Sequence, residues 1–162
     1  MRCFLLPLLC LVAVTARSAA ANPTVPGDVA ILQNGIAYAP ENAPAAVKNA
    51  IWATNTIVKK PYRWGGGHAT FFDVGYDCSG TVSFLLHHAG VLDAPTPSKG
   101  LLGWGEAGRG RWITVYTRSG HVFAIVAGLR LDTTGRVEGE GPRWRSEPRD
   151  LGKFVARHPP GL

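Results

Sequence analysis

Thiols are scarce in this chain, with three cysteines in 162 residues. Cys3 and Cys10 fall in the N-terminal apolar stretch, so Cys78 is the only thiol of the chain beyond it. One thiol excludes an internal disulfide, and an unpaired cysteine in an exported protein is open to oxidation and calls for an explanation. An apolar run of membrane-spanning length is also lacking. The run from Cys3 to Thr15 is broken by Pro7 and falls short of the about 20 residues that a spanning helix needs, so stable membrane insertion is not expected. Pro7-Leu8-Leu9-Cys10 lacks the small residue that a lipoprotein signal carries before its cysteine. There is no internal repeat. The arginines are scattered, and no aromatic–basic motif of a nucleic-acid reader is present, which argues against a nucleic-acid partner.

What the N-terminus does contain is the pattern of an export signal. Met1-Arg2 gives a positive start, the apolar run follows, and Arg17-Ser18-Ala19-Ala20-Ala21 supplies small residues for cleavage. The expected division is a signal peptide over 1–21, a lead-in segment over 22–42 and one domain over 43–162. The signal takes Arg2 and Arg17 with it, leaving 15 cationic residues against 11 acidic ones, a net +4. A basic exported protein suits an anionic cell envelope, and the expected location is secreted or periplasmic.

Glycine (20) and proline (12) are frequent enough to cut the domain into short elements. Asn34-Gly35 between two apolar runs predicts a tight hairpin. Val47, Ala50, Ile51, Thr54, Ile57 and Val58 recur at helical spacing, predicting a helix over 44–60 with Pro44 at its first position and Lys59-Lys60 in its last turn. A second helix is predicted over 78–89, with its stripe on Val82, Leu85, Leu86 and Ala89 and Gly90 as the C-cap. Strands are predicted over 112–118, 121–127 and 129–133, joined at Ser119-Gly120 and Gly128. Residues 92–111 read as a loop, 134–152 as a polar surface excursion, and 154–157 as a short final strand. Helices first and antiparallel strands afterwards imply an α+β fold, with N-terminal helices packed on a central antiparallel sheet.

Asp77-Cys78-Ser79-Gly80 sits where a loop becomes a helix. Unpaired N–H groups and the positive end of the dipole favour a thiolate there. A lone cysteine is more commonly a small buried hydrophobe; the polar and small neighbours of Cys78 weigh against that fate and leave the two readings balanced on local grounds. The base must come from elsewhere in the fold. His121 opens an apolar strand after a turn, where it can reach a helix N-terminus and move a proton. Asp132, on the next strand, is the first candidate to orient it, and His158 is the alternative third catalytic residue. His68 is a candidate substrate contact, although a solvated loop position is the blander expectation. Trp104 and Trp144 fall in predicted loops, where they either line a groove or pack into the core.

Pro61-Tyr62-Arg63-Trp64-Gly65-Gly66, then Asp77-Cys78-Ser79-Gly80, then Gly120-His121-Val122 resemble the three ordered signatures of the NlpC/p60-type papain-like cell-wall cysteine peptidases. The resemblance covers about residues 45–134. It implies a papain-like core and hydrolysis of peptidoglycan stem peptides, typically between D-γ-glutamate and diaminopimelate or lysine, through a Cys–His thioester mechanism. It further implies substrate binding by Tyr62, Asp77 and Ser79, with no metal and no organic cofactor. The chain departs from the family in two places. Arg109 to Val115 replaces the usual Pro-Gly-Asp turn, and Asp132 stands where the third polar residue is often His. Two other readings remain open: a papain-like amidase or acyltransferase, including an antibacterial toxin, and a non-catalytic cell-wall-binding module of the same fold.

Overall fold

The computed structural model describes residues 22–134 and 140–162. The expected signal over 1–21 lies outside the described residues. Among those residues no helix is long and apolar enough to cross a membrane.

The chain starts with a small three-stranded sheet. β1 (Thr24–Val25) runs parallel to β3 (Ile36–Pro40), and β2 (Ile31–Gln33) pairs with β3 antiparallel. Asn34 and Gly35 both adopt positive φ (51° and 78°) between β2 and β3. That is the two-residue primed turn expected of Asn-Gly, whose twist matches its strands. Residues 22–42 are built into the core rather than trailing from it. Ala37 and Ala39 are fully buried, and the amide of Ala30 donates to the carbonyl of Ala127 at 2.8 Å.

Helix α1 (Ala45–Asn55) buries Val47, Ala50, Ile51 and Thr54 along one face. It is shorter than the helix expected over 44–60. After Asn55 the backbone tightens to i→i−3 bonds, Thr56 to Ala53 and Ile57 to Thr54. The β-branched cluster Thr54, Thr56, Ile57 and Val58 disfavours further helix, although Ile57 and Val58 are still buried. Lys59 and Lys60 therefore lie beyond the helix. Asn55 bonds both the amide and the carbonyl of Ala37 (3.0 and 2.9 Å) and accepts the indole N–H of Trp144 at 2.9 Å. One side chain thus joins the small sheet, α1 and the C-terminal half of the chain.

Helix α2 (Cys78–His88) is buried from Cys78 through Leu86. A helix apolar around most of its circumference needs cover on several sides. It packs against α1 on one side and against the strands that follow on the other. Those strands form a six-stranded antiparallel sheet. They are β4 (Glu106–Ala107), β5 (Ile113–Arg118), β6 (His121–Val126), β7 (Leu129–Asp132), β8 (Arg143–Arg145) and β9 (Val155–His158), in the order β4-β9-β5-β6-β7-β8. Along β6, Val122, Ala124 and Val126 join the core under α2. Phe123 alternates to the other face, where Tyr116 stacks on it at 5.2 Å and Phe154 meets it edge-on at 5.1 Å.

Of the region expected to be a surface excursion, Arg143–Arg145 belong to this sheet, and 135–139 lie outside the described residues. β8 pairs with β7, and Trp144 is 5% exposed. Its short pattern, one tryptophan between two arginines, is too brief to read as a strand from periodicity. Pairing with β7 supplies what the local sequence does not. Trp144 is accordingly a core residue on a strand, and Trp104, partly buried, packs against the same core. The stretch over 92–111 contains a 3₁₀ turn, Gly100–Gly103, and the edge strand β4.

Candidate active site

Cys78 is the first residue of α2, and its position is fixed by Asp77 in front of it. Asp77 is the N-cap. Its carboxylate accepts from the amide of Gly80 at 2.8 Å and the hydroxyl of Ser79 at 3.1 Å. It also accepts from the amide of Gly65 at 3.1 Å, so the same side chain holds the glycine loop against the helix start. The approach is close enough to require glycine. A Cβ on Gly80 would come within 2.0 Å of the carbonyl oxygen of Gly66, and one on Gly66 within 2.2 Å of that of Gly75. As the first two helical residues, Cys78 and Ser79 have amides with no acceptor inside the helix.

His121 begins β6, opposite Arg118 across the Ser119-Gly120 turn. Its Nε2 donates to Oδ1 of Asp132 at 3.1 Å, and Oγ1 of Thr134 lies 3.4 Å from the same nitrogen. Cys78 lies close enough to His121 to act on its charge. With Nε2 turned to Asp132, Nδ1 is the ring nitrogen left for the sulfur. Cys78 and His121 are each 9% exposed, so both touch the surface without standing out from it.

Burial alone would push the imidazole of His121 down. The hydrogen bond to Asp132, the closeness of Cys78 and the charges on both outweigh it, and the group is pushed up to about 9. Asp132 is 1% exposed, and burial alone would raise it. The bonds from His121 and the amide of Thr134, with the charges of His121 and Arg149, hold it below the usual carboxylate range. Arg149 donates to Oδ2 of Asp132 at 2.6 Å, and Nε of Arg130 lies 3.6 Å from the same oxygen. The result is a buried carboxylate held ionised and bonded to an imidazole whose charge Cys78 also favours.

The structure thus brings Cys78, His121 and Asp132 together. His158 is elsewhere, on β9, with its ring nitrogens at 3.3 Å from the carbonyl of Gly108 and 3.2 Å from Glu106. The phenol of Tyr62 is raised first by burial and then by charge on Cys78 and Asp77. His68 is not merely a solvated loop residue. Although its side chain is 38% exposed, its Nε2 sits 2.9 Å from Oδ2 of Asp77 and 3.0 Å from Oγ of Ser79. Among the described residues no group of three or more His, Cys, Asp or Glu is arranged to hold a metal ion.

Thr134 and Arg149 escaped the sequence reading. Both lie in the polar segment after β7, and nothing in its composition distinguishes the arginine that reaches Asp132 from its neighbours. The weak signal available was Thr134, two residues beyond an acid, in position for its amide to bond that carboxylate as it does here at 2.9 Å.

No family model matches the chain, and no curated protein matches it. Among solved structures it is similar to the peptidoglycan hydrolase RipB from Mycobacterium tuberculosis, with a TM-score of 0.51 and 22% identity over 71% of this chain and 68% of that one. The likeness establishes a shared mixed α+β fold of two helices and antiparallel sheet.

Proposed function

We propose that the protein is an exported cysteine peptidase that hydrolyses peptide stems of peptidoglycan, with Cys78 as nucleophile, His121 as acid–base and Asp132 as the group that orients it. The observation carrying this reading is the buried His121–Asp132 pair, with Cys78 acting on its charge from the start of a buried helix. The fold likeness to RipB, a peptidoglycan hydrolase, supports the substrate class, as do the three ordered motifs and the basic charge.

In this reading the sulfur, paired with protonated His121, attacks a stem-peptide carbonyl, typically that between D-γ-glutamate and the next residue. Electron density moves to the carbonyl oxygen, which the amides at the start of α2 and the phenol of Tyr62 stabilise; one such donor is worth about 10²–10³ in rate. His121 gives its proton to the leaving amine as the C–N bond breaks, leaving a thioester on Cys78. Neutral His121 then takes a proton from water, whose oxygen attacks the thioester; the C–S bond breaks, the acid product leaves, and the sulfur is again paired with protonated His121. Asp132 stays ionised and keeps the ring oriented. Ser79, His68 and Asp77 line the wall nearest the sulfur and meet the substrate.

Purified protein incubated with peptidoglycan fragments should release new amines and carboxyls, identified by mass spectrometry of the products. Cys78→Ala should abolish release. Tight binding without cleavage by the unaltered protein would instead select a non-catalytic wall-binding module. Undiminished turnover in Cys78→Ala would refute the assignment of the nucleophile.

A further inference from the structure

Beside the His121–Asp132 pair lies a cavity of about 690 Å³. Its described lining carries five cations, Arg118, Arg130, Arg145, Arg149 and Lys153, against two acids, Glu147 and Asp150. The volume is that of a small-ligand site. The imbalance is built into the sheet. Arg130 on β7 and Arg145 on β8 are direct cross-strand partners, a like-charge placement that destabilises a strand pair unless something neutralises it.

Much of that charge is met by groups at the margin of the cavity. Arg149 is committed to Asp132 and Arg145 to Glu140, at 2.6 and 2.5 Å. Arg130 donates to the carbonyl of Pro148 at 3.1 Å and its Nε lies 3.6 Å from Asp132, yet that Nε and the Nε of Arg145 are buried without a hydrogen bond. A buried unsatisfied donor on a charged group is costly. Arg130 is also held below the ordinary arginine range, first by burial and then by the charges of Arg145 and Arg149, against the opposing pull of Asp132 and Glu147. Asp150 spends one oxygen capping the amide of Gly152 at 2.9 Å. Arg118 packs over the ring of Phe154 at 5.1 Å, which leaves its N–H edge available.

We infer that this cavity is a binding site for a compact oxyanion with two or more negative charges, such as clustered carboxylates or a phosphate. Planar guanidiniums lining one cavity suit bidentate capture of such groups. The site borders the pair that holds the candidate base, because Thr134 and Arg149 contact both. The inference stands independently of Cys78 chemistry, since its test involves no hydrolysis.

The test is calorimetric titration of the full chain at low ionic strength with inorganic pyrophosphate and, separately, with citrate. One-to-one binding of either is expected, and the preferred probe separates a phosphate from a carboxylate ligand. Arg118→Gln combined with Lys153→Gln, both at exposed positions, should keep the fold by circular dichroism and weaken binding by about tenfold or more. Lys59→Gln with Arg63→Gln, removing the same charge elsewhere on the surface, should leave affinity unchanged. Failure of both probes to bind, or equal weakening in the two double variants, would overturn the site.

Discussion

Asp132 is approached from three directions: by the imidazole of His121, the amide of Thr134 and the guanidinium of Arg149. Asp132→Asn keeps the shape and removes the charge that raises His121. The alkaline limb of the pH–rate profile, expected near 9 because His121 loses its proton there, should then fall to lower pH, while His121→Ala should cost on the order of 10²–10⁴ in kcat. An alkaline limb that stays in place in Asp132→Asn would show that Asp132 does not govern the base. At this scale the sequence was legible where chemistry concentrates in a motif. Cys78 is marked by its neighbours and His121 by a turn before an apolar strand. Arg149 was not, because its role depends on a pairing between β7 and β8 that brings distant segments together.

The start of α2 is the element on which the site depends. Asp77 caps it and binds the glycine loop in the same act. Asp77→Ala should therefore cost more than the about 1 kcal/mol typical of a lost N-cap, because Gly65 and His68 lose their partner too. Gly80→Ala, driving a Cβ against the Gly66 carbonyl, should destabilise the protein and displace Cys78, lowering the denaturation midpoint and the rate of alkylation together. A Gly80→Ala protein with unchanged midpoint and alkylation rate would contradict the close packing. The elements themselves were readable wherever a turn residue and an apolar period agreed, as at Asn34-Gly35 and along β5, β6 and β7. Reading failed where they conflicted. α1 stops at Asn55 although its apolar spacing continues, and β8 exists although its polar sequence advertises a loop.

For the whole molecule, the coupled charges set where in pH the fold is stable. His121 rises from 6.5 to about 9 on folding, so its contribution is complete below 6.5 and disappears as pH climbs through about 9. Asp132 moves down from 3.8, so its contribution is present above 3.8 and is lost as pH falls through its folded value. Tyr62 and Tyr76, both raised from 10.0, add a further loss at still higher pH. The melting temperature should accordingly be highest between about 4 and 6.5 and decline from there toward 9. His121→Ala should flatten that decline; an equally steep decline in the variant would place its origin elsewhere.

The most direct measurement for the central claim is intact-protein mass spectrometry of protein quenched in acid during turnover of peptidoglycan fragments. The account predicts an adduct with the mass of the acyl half of the cleaved peptide, mapping to the peptide that contains Cys78 and absent from Cys78→Ala. Cleavage that proceeds with no adduct on Cys78, and equally well in Cys78→Ala, would contradict it.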